Sequence, residues 1–222
     1  CDVTFSEKFQ CSRDAFLYHI RYFSISYALA FIFLYLGGQW NYAAAVITTL
    51  GCIIVLFEFV FYIEFIDPLF KKTQGYNISG IIEPEEQVNQ QIIISGHYDS
   101  PHVFSFLNKH QRLYKFRIAL NSILYLLITG VSIWYSYLQF FNADIAQLNF
   151  NLLIIFGIGI FFICQYFFFV SWEVSPGAGD NLISACMAVK LPELFSKHSS
   201  EGSALIHTRL IFLCPDAEES GL

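Results

Sequence analysis

The stretch Ile92-Ile93-Ile94-Ser95-Gly96-His97-Tyr98-Asp99-Ser100 decides how this chain is read. Three consecutive β-branched residues with no polar face predict a strand buried on both sides in a parallel sheet. The strand is expected to stop at Ser95-Gly96. Beyond it stand an imidazole, His97, and a carboxylate, Asp99, at the strand end where open α/β sheets place their ligand sites. A neutral ring nitrogen of His97 suits zinc, and Asp99 is near enough to accept the other ring N–H and fix the tautomer. By itself such a pair also serves as a hydrogen-bonded turn, so its meaning depends on what the remaining sequence supplies.

The 222 residues are 55% hydrophobic, 18% aromatic and only 14% charged, too apolar for a soluble domain of that length. Membrane segments and contact with membrane lipid are therefore expected. The chain opens on Cys1 and closes on Glu218-Glu219-Ser220-Gly221-Leu222, and we read it as a fragment of a longer protein. Its six cysteines show no paired spacing, which points to neither a disulfide framework nor a zinc knuckle. A net charge of −6, without a basic cluster interleaved with aromatics, argues against nucleic acid as a partner.

Composition divides the chain into five segments. Residues 1–21 are mixed and polar, without a signal-peptide cleavage pattern. Residues 22–57 carry no charge, and as one helix would run roughly 54 Å, too long for a single crossing of a hydrocarbon layer about 30 Å thick. A hairpin over 22–66 resolves this, turning at Gly37-Gly38-Gln39-Trp40-Asn41 between helices near Tyr22–Leu36 and Tyr42–Ile63. Glu58 lies close enough to the end of the second helix to reach the interface. Residues 67–117 return to a soluble composition, with strands expected over Asn77–Ile82 and Gln91–Ile94 and a polar loop over Pro101–Lys115. Asn77-Ile78-Ser79 is formally a glycosylation acceptor, but it overlaps a strand. Uncharged runs at 118–143 and 145–172 predict a second transmembrane hairpin over 118–172, with helices near Ile118–Phe141 and Phe150–Trp172 and Tyr166–Phe169 facing lipid. Residues 173–222 are again soluble in character.

That last segment holds two further candidate sites. Ser175-Pro176-Gly177-Ala178-Gly179-Asp180-Asn181 places a carboxylate where a flexible loop enters a helix, a position that also suits an N-cap. The apolar run Leu210–Cys214 leads into Pro215-Asp216-Ala217-Glu218-Glu219. Adjacent carboxylates at a strand end repel each other, and binding a cation with one while the other transfers protons is a common resolution.

Together the three sites resemble one known family, the co-catalytic di-zinc exopeptidases that include bacterial leucyl aminopeptidases and glutamate carboxypeptidase-like enzymes. The resemblance rests on Gly96-His97-Tyr98-Asp99-Ser100, Gly177-Ala178-Gly179-Asp180-Asn181 and Glu218-Glu219-Ser220-Gly221-Leu222, and covers roughly residues 75–105 and 173–222. It implies an α/β fold, a mostly parallel sheet flanked by helices, here combined with two transmembrane helical hairpins. It further implies two zinc ions and a peptide substrate, with His97 on one zinc, Asp180 bridging, Glu219 on the other, Glu218 as general base and Asp99 orienting His97. The peptide after Asp180 is expected to be cis, as in that family. The family's last two zinc ligands, an Asp and a His, would lie beyond Leu222. The second hairpin occupies a connection that is much shorter in soluble members. Removal of an N-terminal residue from peptides is the reaction this implies most directly. A glutaminyl cyclase-like enzyme with one zinc, and an inactive peptidase-fold receptor or scaffold, are the alternatives.

Charge predicts the orientation. All twelve Lys and Arg residues fall in 1–21, 67–117 and 173–222, and none in the opposite loops near Gly37–Asn41 and Asn142–Leu148. By the positive-inside rule the side carrying His97, Asp180, Glu218 and Glu219 is expected to be cytoplasmic.

Overall fold

A computed structural model of the chain describes residues 1, 3–109, 111–141, 148–200 and 205–220. Most of the loop expected near Asn142–Leu148, and Gly221-Leu222, lie outside these. The chain forms two compact units: residues 1–13, 70–101 and 174–222 make one, and 14–69 with 102–173 make the other.

The elements follow in chain order: β1 (Val3–Cys11), α1 (Tyr18–Leu36), α2 (Trp40–Ile54), β2 (Thr73–Ile82), β3 (Gln90–Ser95), β4 (His102–Phe104), α3 (Ser105–Lys109), α4 (Tyr114–Phe140), α5 (Phe150–Ile163), β5 (Val170–Val174), α6 (Ile183–Ser200) and β6 (Thr208–Cys214). In the first unit a four-stranded sheet runs β1-β2-β6-β3. β1 pairs antiparallel with β2, β2 antiparallel with β6, and only β3 and β6 are parallel. The sheet is therefore mixed, whereas the apolar character of β3 had pointed to a mostly parallel one.

β3 also lies at an edge of this sheet rather than between covered faces. Ile93 is 63% exposed and Ile92 is exposed beside it. An unbroken apolar run does not distinguish a central strand from an edge strand, because periodicity reports side-chain character and not the number of hydrogen-bonded neighbours. The core lies instead under β6, where Ile82, Leu210 and Phe212 are buried and Leu191 and Phe195 of α6 pack against them. β1 is a strand within the segment of mixed polar composition. Its Val3, Phe5, Phe9 and Cys11 alternate with polar residues, the period of a strand with one apolar face.

The second unit contains four helices long and apolar enough to cross a membrane: Tyr18–Leu36, Trp40–Val60, Gln111–Phe140 and Phe150–Phe168. Their shared core includes Tyr27, Leu34, Ala44, Tyr125, Ile128 and Phe156. Hydroxyls join the helices where no water competes: Ser26 Oγ lies 2.8 Å from the Tyr125 hydroxyl, and Ser24 Oγ donates to the Ile163 carbonyl at 2.9 Å.

Several local expectations change here. Pro101–Lys115 is not a loop: it supplies β4, α3 and a short 3-10 turn, with β4 paired to β5. The helix expected to reach Trp172 gives way to β5 at Val170. Of the aromatic run, Tyr166 and Phe169 are buried against Ile20 and Phe106, and only Phe167 and Phe168 face outward. Glu58 is buried, its carboxylate accepting the Ile66 N–H where the chain turns back.

Candidate metal centre

The parallel pairing of β3 with β6 sets the site. Ile92 lies beside Leu210 and Ser95 beside Leu213, so both strands run out in the same direction at the same edge of the sheet. The ladder continues past the strand ends, with Gly96 N donating to Leu213 O and Tyr98 N to Pro215 O, each at 3.1 Å. His97 and the turn carrying Glu218 and Glu219 are thereby delivered side by side.

Asp180 arrives on the entry to α6. Gly96 makes its position possible: a Cβ there would stand 2.5 Å from the Ser184 carbonyl carbon and 2.7 Å from Ala185 N, so the first turn of α6 rests directly on the strand end. Gly177 has φ +65°, a conformation that L side chains rarely adopt, and a Cβ there would meet Ser100 Oγ at 2.6 Å. The glycine loop thus packs on the last residue of the His97 motif, and Ser175 N donates to Pro101 O at 2.9 Å. The Asp180–Asn181 peptide is cis.

The five side chains read from the sequence meet in this one place. His97 Nδ1 lies 3.1 Å from Asp99 Oδ1, and His97 Nε2 is 3.6 Å from both Asp180 Oδ1 and Glu218 Oε2. One ligand atom each from His97, Asp180 and Glu219 lie within 4.8 Å of one another. Asp99 binds in two directions, since its Oδ2 also accepts the Glu219 main-chain N–H at 3.0 Å. His97 is 8% exposed, and the Asp99 side chain is buried. Asp180 stands open, its side chain 81% exposed, and more than half of the Glu218 side chain is exposed.

Negative charge accumulates here, with Arg13, bonded to Asp216, the cation that also acts on Asp99. Burial lowers the His97 pKa, but the carboxylates of Glu218, Asp99 and Glu219 outweigh that and raise it overall. Burial raises the Glu219 pKa, and the charges of Glu218 and Asp180 add to the rise while His97 opposes it. The donors fit a zinc-like ion: one imidazole nitrogen and carboxylate oxygens are its preferred oxygen and nitrogen ligands. The 3.6 Å separation of Nε2 from Asp180 exceeds a hydrogen bond but is close to the roughly 3.4 Å between two ligands of one tetrahedral ion.

One contributor was missed from the sequence. Asp216 is buried and accepts from Arg13 Nη2 on both carboxylate oxygens, at 3.0 and 3.1 Å, together with the Tyr76 and Ala217 N–H groups. Its own N–H donates to Asn77 Oδ1 at 3.1 Å. These contacts hold the turn that presents Glu218 and Glu219. The signal lay in the sequence as a third acid beside the Glu-Glu pair, but its partners come from β1 and β2. The side-chain oxygen of Asn77, the formal glycosylation acceptor, is committed to this turn.

No family model, curated protein or solved structure matches this chain.

Proposed function

We propose that this chain is part of a membrane-bound zinc exopeptidase, an aminopeptidase that removes N-terminal residues from peptides. The observation that carries the reading is the convergence of His97, Asp180 and Glu219, with Glu218 beside the imidazole, from three separate motifs. His97, Asp180 and Glu219 would hold zinc, two ions in the complete site, which supplies Lewis acidity toward the scissile carbonyl and makes water a nucleophile near neutral pH.

The chain's own groups account for the proton movements. Glu218 stands exposed at the rim and is the general base: its carboxylate takes a proton from the attacking water and returns it to the nitrogen of the leaving amine. Asp99 accepts from His97 Nδ1, which leaves Nε2 free of its proton and directed at the site. The exposure of Asp180 leaves the centre open to an extended peptide. The four apolar helices anchor the enzyme in the lipid bilayer, and the distribution of Lys and Arg supports a catalytic unit on the cytoplasmic side.

Three donors and one water also satisfy a single four-coordinate zinc, which supports a glutaminyl cyclase-like enzyme as the second reading. Metal analysis of the protein purified from its own membrane separates them, at two ions per chain or one. In that preparation, Glu218→Gln is expected to lower hydrolysis of aminoacyl substrates about 100-fold or more while metal content stays at the parent level. Hydrolysis by the variant at the parent rate overturns the role of Glu218. Absence of turnover in the metal-loaded parent favours the inactive receptor or scaffold.

A further inference from the structure

The helical unit contains a cavity of chemical interest. It has a volume of about 490 Å³, and its lining includes Arg21, Ser105, Asn108, Lys109, Ser171 and Glu173 on its polar part, and Val103, Phe167, Phe168 and Val170 on its apolar part. Arg21 belongs to the first turn of α1, Lys109 ends α3, and Phe167 and Phe168 close the last apolar helix. Within this unit the cavity therefore lies where two of the candidate membrane spans have their ends, Tyr18–Leu36 at its start and Phe150–Phe168 at its finish.

From this arrangement we propose that the cavity binds the phosphodiester headgroup of an anionic phospholipid. The argument is charge and polarity together. Arg21 and Lys109 outnumber Glu173, so the lining is net positive, and Ser105 and Asn108 add hydrogen-bond donors suited to phosphate oxygens. A small free anion would use only that part. Phe168 is 71% exposed and Phe167 is exposed beside it, so an aromatic rim continues from the cavity onto the apolar surface of the helix, where acyl chains would lie. The shared recognition chemistry is a phosphate oxygen, and the apolar rim selects the lipid as its source. The inference rests on the reading of the four helices as membrane-embedded.

Thermal unfolding in a neutral detergent tests it, with phosphatidylglycerol, phosphatidylcholine or glycerol phosphate added. Phosphatidylglycerol is expected to raise the Tm and the other two are not. Lys109→Gln, at an exposed position, should weaken apparent lipid affinity about fivefold, and the Arg21→Gln/Lys109→Gln pair about 25-fold, the effect of roughly one and two surface charges. Glu173→Gln should strengthen it, which a folding defect would not do, and Lys71→Gln/Lys72→Gln, outside the cavity, should leave it unchanged. An equal response to phosphatidylcholine, or an undiminished one in the double variant, overturns the proposal. A full response to glycerol phosphate assigns the cavity to free anions instead. Recovery of the protein in the aqueous fraction without detergent would refute the membrane reading itself.

Discussion

Asp99 joins His97 to Glu219: one carboxylate oxygen lies 3.1 Å from His97 Nδ1 and the other accepts the Glu219 main-chain N–H at 3.0 Å. A single buried side chain thus fixes the imidazole of one motif and the backbone of another. Asp99→Asn keeps the shape but makes one arm a donor facing a donor. Metal affinity is expected to fall about 10- to 100-fold, the usual effect of removing a group that orients a ligand. Isothermal titration with zinc measures it, and parent-like affinity would show that Asp99 has no orienting role.

Gly96→Ala tests how closely α6 must approach. The new Cβ meets the backbone of Ser184 and Ala185, which has no rotamer to yield, so α6 must shift and take Asp180 with it. Overpacking of this kind costs about 1–3 kcal/mol. A lower Tm with at least tenfold weaker metal binding is expected, the latter by the sensitivity of ligand positioning. Unchanged metal affinity would mean that Asp180 is not placed by this contact.

The raised pKa of His97 and that of Glu219 predict opposite pH trends with and without metal. A group with a raised folded pKa stabilises the fold below its unfolded value and loses that contribution as pH rises through the folded value. Metal-free protein should therefore lose stability as pH climbs past the ordinary glutamate value for Glu219 and again past the ordinary histidine value of about 6.5 for His97, and His97→Gln should flatten the upper part of the profile. Metal binding displaces the same protons and should weaken as pH falls. Melting curves of metal-free protein and variant across this range are the check; identical profiles would contradict it.

Orientation can be read by labelling. With the native cysteines replaced by serine, a cysteine at Gln39 should react with an impermeant thiol reagent in sealed cells and one at Gln87 should not. The reverse pattern would place the catalytic unit on the outside.

The sequence disclosed the chemistry of the site better than its scaffold. His97, Asp180, Glu218 and Glu219 could be read because each follows a strand-like run or a glycine loop, where a titratable residue is conspicuous. The edge position of β3 could not be read, because Ile92 and Ile93 have the composition of a covered strand and yet are exposed. β1 could not be read because Glu7 interrupts its alternation and its partner, β2, comes after two long helices. Asp216 looked like part of a solvated acidic turn. Its role depends on Arg13, 203 positions away, and no local pattern carries that information.

The placement of β6 between β2 and β3 also has a consequence for biosynthesis. Among the described strands β6 comes last in the chain, and both its neighbours wait for it through residues 96–207, which include two of the apolar helices. At about 5–20 residues per second the ribosome needs on the order of ten seconds to cover that distance. During that interval the apolar side of β3 has no partner, and insertion of the second helical pair must finish before the sheet can close. Pausing translation between α5 and β6 should therefore lengthen the time for which β3 lacks its hydrogen-bonded neighbour and is open to proteases.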